Sequence, residues 1–130
     1  MKRLVIVGAV AASLVLASVA LAAATPSGTY RTKITSTAAG GALEGTWTVQ
    51  FASPDYTVAD SGTVVVRGKY SIKGTTITFN DKTGRAACPG PGKYAFKLSG
   101  NKLKLTLVSD SKPSCLGRRV VLAGNFTKIG

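Results

Sequence analysis

A chain of 130 residues carrying 17 basic and five acidic side chains, two cysteines and no histidine has room for one domain. Without histidine, and with Glu44 as its single glutamate, it lacks the usual general bases, imidazole metal ligands and Ser-His-Asp relays. A net charge of +12 directs attention to anionic partners.

Met1-Lys2-Arg3 is a short positive start, followed by an uncharged apolar run from Leu4 to Ala24 that ends in small residues. This is the order of parts in a secretory signal peptide, and it places cleavage after Ala24, with Ala22 as the alternative. The run is also just long enough to be a retained anchor, but its mild apolarity and the Thr25-Pro26-Ser27-Gly28 breaker favour cleavage. The expected product is an extracytoplasmic monomer, residues 25–130, without a membrane span and with a net charge of about +10.

Beyond Gly28 the pattern has period two, with β-branched and aromatic residues between Gly, Asn, Asp and Pro clusters. Eight runs emerge: Tyr30 to Thr35, Gly45 to Ala52, Tyr56 to Ala59, Thr63 to Ile72, Thr75 to Asn80, Lys93 to Ser99, Lys102 to Ser109 and Arg119 to Lys128. Alternation assigns their faces. Trp47, Val49 and Phe51 share one side, as do Val64, Val66, Tyr70 and Ile72, then Ile77 and Phe79. Tyr94, Phe96 and Leu98 follow, then Leu103, Leu105 and Leu107, then Val120, Leu122 and Phe126. The opposite faces carry threonines and the cations Arg67, Lys69, Lys73, Lys93, Lys97, Lys102 and Lys104.

Short connections favour antiparallel neighbours in sequence order, and Lys73-Gly74 and Ser99-Gly100-Asn101 have the composition of hairpin turns. A sheet of about eight strands with one apolar face is closed most simply as an all-β up-and-down barrel, with a two-sheet sandwich as the alternative. In the barrel the long links, 36–44, 81–92 and 110–118, fall at one end with the turn 60–62. Cys88 and Cys115 lie in two of them, so a disulfide is compatible with the topology and expected after export. Two thiolates without other ligands do not complete a metal shell, and no cofactor is expected.

Gly45-Thr46-Trp47 at a strand start, with Arg118-Arg119 leading into the last run, resembles the calycin superfamily of lipocalin-like barrels. The resemblance implies that Trp47 crosses one barrel end beside Gly45, with Arg119, or alternatively Arg118, stacked on the indole. It also implies a small apolar or amphipathic ligand inside the barrel. The candidate lining is Trp47, Phe51, Tyr70, Phe79, Tyr94, Phe96 and Phe126, residues that in a small barrel can equally be solid core.

A second function class is a basic surface module for polyanions such as cell-wall polymers. An enzyme is not expected. Asp55, after Pro54, and Asp60, before Ser61-Gly62, have the positions of turn residues more than of a catalytic carboxylate pair.

Overall fold

The computed structural model describes residues 8, 13 and 24–130. The expected signal peptide, residues 1–24, therefore lies almost wholly outside the described residues. The described chain forms eight strands, β1 (Gly28–Ile34), β2 (Gly45–Ala52), β3 (Asp55–Asp60), β4 (Thr63–Lys73), β5 (Thr76–Thr83), β6 (Pro91–Ser99), β7 (Lys102–Ser109) and β8 (Gly124–Lys128). One short helix, α1 (Leu116–Leu122), lies between β7 and β8.

Every strand pairs antiparallel with its neighbour in sequence, and β8 returns to β1, closing the sheet into an up-and-down barrel. The sandwich alternative is thereby removed. The strands form where period-two alternation lets each bury one face. Inward pairs face one another across the ladders: Val49 lies opposite Tyr30 and Val58, Ile77 opposite Tyr94, Phe96 opposite Leu105, and Leu103 opposite Phe126. All nine of these residues are buried.

The last run departs from expectation. Arg119 to Lys128 is not one strand: residues through Leu122 are helical, and the strand begins only at Gly124. Pro113 opens a 3-10 turn over Pro113–Cys115 that feeds α1, consistent with a residue whose fixed φ suits the first turn. The buried residues of α1 are Arg118, Val121 and Leu122, an i, i+3, i+4 stripe, while Val120 is only partly covered.

Two inward assignments also change. Val64 is exposed and Val65 buried, because the β3–β4 ladder shifts between Val58 and Ala59, leaving Val65 as an extra residue on β4. Leu107 is exposed beside a second shift, where Lys93 pairs with Ser109 but Tyr94 with Leu107. Among the described residues no helix is long and apolar enough to cross a membrane.

Candidate functional site

The barrel end that receives the links after β1, β3, β5 and β7 is closed by α1. Cys88, between β5 and β6, is bonded to Cys115 at the N-terminal end of α1, with Cα atoms 5.4 Å apart. This bridge pins the helix to the barrel rim. Val121 and Leu122 then join the core.

Arg118 projects from the same helix face into a cluster of buried polar groups. Its Nε and Nη2 donate to Oδ2 and Oδ1 of Asp110, each at 2.8 Å, a bidentate pair. Nη1 lies 3.6 Å from Asp81 Oδ2. The three charged side chains are 4% exposed or less. Two tyrosines complete the cluster: Tyr94 Oη donates to Asp110 Oδ2 at 2.5 Å, and Tyr56 Oη donates to Asp81 Oδ1. The Cys88 amide donates to Asp81 Oδ2 at 3.0 Å.

Two glycines make room for this cluster. A Cβ on Gly92 of β6 would stand 2.7 Å from Asp110 Oδ2 and 2.8 Å from Arg118 Nε. One on Gly68 of β4 would stand 2.9 Å from the Tyr56 hydroxyl and closer still to the Asn80 carbonyl oxygen.

The electrostatics follow from burial and pairing. Burial raises the pKa of Asp110, but the hydrogen bonds from Arg118 and Tyr94 outweigh it and hold the carboxyl below its ordinary value. Burial works to lower that of Arg118, yet the Asp110 bonds and the charges of Asp110 and Asp81 raise it. Tyr56 and Tyr94 are pushed far above the ordinary phenol range, first by burial and then by bonding to a carboxylate. Asp110 and Arg118 are therefore a fixed ion pair, and both phenols stay neutral.

Trp47, expected at a barrel end, is there, buried, with Nε1 donating to the Leu43 carbonyl at 2.8 Å. The two arginines are reversed from the expected pattern. Arg118 is the buried one, and it shares a cavity wall with Trp47. Arg119 is partly exposed, its Nη1 donating to the carbonyls of Asp110 (2.6 Å) and Lys112 (2.8 Å). A helical backbone turns successive side chains by about 100°, so the strand rule of alternating sides does not apply here. Gly45, at the first position of β2, has a φ of +132°, in the region that favours glycine.

The seven candidate lining residues pack against one another and their neighbours. Phe51, Phe79, Tyr94, Phe96, Phe126 and Trp47 are buried and Tyr70 is half-buried. Phe51 meets Tyr70 at 5.3 Å and 86°, and Phe79 meets Tyr94 at 5.7 Å and 74°, the edge-to-face geometry of filled aromatic cores. Between Trp47 and α1 there is a cavity of about 50 Å³, lined by Leu43, Val58, Val66, Asp81, Ala86, Gly117, Arg118, Val121 and Leu122 besides the indole. Pockets that hold drug-sized ligands are roughly 300–1,000 Å³.

The outer wall divides by charge. The strands β6, β7, β8 and β1 are contiguous in the closed sheet and carry seven exposed cations: Arg31, Lys33, Lys93, Lys97, Lys102, Lys104 and Lys128. None of these strands contains an acidic residue. Asp55, Asp60 and Asp81 lie on β3 and β5, where Lys69 pairs with Asp55 at 3.0 Å and Arg85 approaches Asp60 at 3.8 Å. Thus the opposite half neutralises part of its charge and this half does not. Sequence faces had assigned four of these seven outward, and the expected barrel closure had already placed the last strand beside the first. Arg31 and Lys33 of β1 and Lys128 of β8 were not among the outward cations assigned from sequence, and the β1–β8 pairing brings the first two beside the rest.

On this half, Arg31, Thr32, Lys33, Thr46, Asn125 and Thr127 border one shallow surface groove, and Lys97, Lys102 and Lys104 border its neighbour. The geometry thus defines a closed, core-filled β-barrel with one acid-free basic wall. Comparison with protein families, curated proteins and solved structures returns no match to this chain.

Proposed function

We propose that this protein is an exported barrel of calycin-like architecture that works through its outer wall, binding a flexible anionic polymer along β6, β7, β8 and β1. The observation that carries this reading is the segregation of seven exposed cations onto four adjacent strands with no acidic residue among them. A like-signed wall attracts polyanions and releases their counterions on contact. Hydroxyl and amide groups between the cations, Thr46, Thr127 and Asn125, add neutral donors for phosphate or carboxylate oxygens.

The polymer is one without bases. None of the nine aromatic side chains is exposed: eight are buried and Tyr70 is half-buried. Stacking platforms for nucleobases are therefore not available on the wall. Catalysis is not part of the reading, since the chain has no histidine and the carboxylate of Asp110 is fully engaged by Arg118 and Tyr94.

The test compares two charge-removal variants for binding to long-chain polyphosphate across a salt series. In one, Arg31, Lys33, Lys102 and Lys104 become Gln; in the other, Arg67, Lys69, Lys73 and Lys82 do. Both lose the same charge. The first is expected to bind at least about tenfold more weakly and with a flatter salt slope, the second to change little. Equal losses in the two would reduce the interaction to net charge and overturn the assignment to this wall.

A further inference from the structure

Arg118 Nη1 is buried and has no hydrogen-bond partner among the described residues. Its companion nitrogens are occupied, Nε by Asp110 and Nη2 by Asp110 and the Cys115 sulfur, and Asp81 Oδ2 stands 3.6 Å from Nη1, beyond hydrogen-bond reach. The same guanidinium and Asp81 both line the cavity between Trp47 and α1, whose remaining walls are mostly aliphatic. Buried donors are almost always satisfied, so this one marks the place of a missing acceptor.

We propose that this cavity is a binding site for the hydroxyl group of a small neutral aliphatic molecule, an alcohol or the hydroxyl end of a longer chain. A hydroxyl oxygen accepts from Arg118 Nη1 and donates its proton toward Asp81 Oδ2, serving both groups at once. A carboxylate would face the Asp81 carboxylate. An ammonium would face the guanidinium, and a pure hydrocarbon would leave Nη1 unsatisfied. Leu43, Val58, Val121 and Leu122 supply apolar contact for a short alkyl group.

The size of the space sets the size of the ligand. A volume of about 50 Å³ is a third of the roughly 150 Å³ that takes a benzene ring, so it holds the hydroxyl and about one carbon, the rest of a short alkyl chain extending toward the open side. Gly117 of α1 lines the cavity, and a Cβ added there would meet no atom within 4 Å, which marks its open side. The cavity is separate from the basic wall, and the two proposals stand or fall independently.

Trp47, the single tryptophan of the chain, lines the cavity and reports on it. The intact mature protein is titrated with 1-propanol, propionate and propylammonium while Trp47 emission and the Val121 and Leu122 methyl resonances are followed. Propanol is expected to give a saturable response with a midpoint on the order of millimolar, the ions at least about tenfold weaker responses. Gly117→Leu, which puts a side chain into the open mouth without crowding the backbone, is expected to lose the response while keeping its melting temperature. A response linear in alcohol, equal for the three probes, or undiminished in a folded Gly117→Leu protein would leave only an ordered water at Nη1 and overturn the site.

Discussion

Removing the Arg118 side chain would leave Asp110 and Asp81 buried without their cation, and an uncompensated buried charge typically costs about 3 to 5 kcal/mol. Arg119→Ala removes two bonds to the 110–112 backbone from a partly exposed guanidinium, at a cost of about 1 to 2 kcal/mol. Chemical unfolding of the two variants checks the order, and equal losses would contradict the ion-pair geometry. Trp47→Ala is expected to cost about 3 to 5 kcal/mol as a buried aromatic. This ranking could not be taken from sequence. Arg and Asp in a pattern of alternating polarity have the signature of exterior positions, and nothing local shows that Asp81, at the end of β5, meets Asp110 and Arg118 of the β7–β8 connection. The tryptophan was legible because a large apolar ring opening an alternating strand has few places to go but inward.

At the scale of the elements, strand identity was legible because burial of one face imposes period two over most of the run lengths seen here. Departures arose where one residue changed the count. The extra Val65 and the shift beside Lys93 reverse or relax the alternation locally, and a bulge leaves no compositional mark in a Val-Val-Val run. Helix α1 was hidden for another reason. Its inward stripe is Arg118, Val121 and Leu122, and an arginine does not count as apolar, so only the false alternation of Val120 and Leu122 remained visible. Seven residues are too few to hold helical structure alone, so this short helix depends on its anchors: the disulfide, the Arg118–Asp110 pair and the burial of Val121 and Leu122. Replacing Cys88 and Cys115 by Ser opens a loop of sequence separation 27 and should cost about 3.5 kcal/mol. The loss should be local first: hydrogen exchange is expected to accelerate in α1 before the strands. Uniform acceleration across the barrel would show that the helix is not a separable lid.

For the whole molecule, the excess of positive charge was plain in the sequence and the expected closure joined the last strand to the first, but Arg31, Lys33 and Lys128 had been assigned to no face, so the wall they complete was not legible. The buried cluster gives the folded state a defined pH window. Asp110 has a folded pKa below its unfolded value, so its contribution is complete above the ordinary carboxylate pKa of about 4 and is lost as pH falls through the lower folded value. Tyr56 and Tyr94 have folded pKa values above the unfolded one, so their contribution is complete below about pH 10 and is lost as pH rises beyond it and the unfolded chain's phenols ionise. Stability is therefore expected to be flat from about pH 5 to pH 9 and to fall on both sides. Tyr94→Phe acts on both limbs. It removes one phenol, which makes the alkaline fall shallower, and it takes one hydrogen bond from Asp110, which brings the folded carboxyl closer to its unfolded value and makes the acid fall shallower too, with the same onset. Melting temperatures of both proteins measured from pH 3 to pH 11 in constant salt provide the check. If the substitution lowers stability equally at every pH, the Tyr94–Asp110 bond is not what couples this barrel to protons.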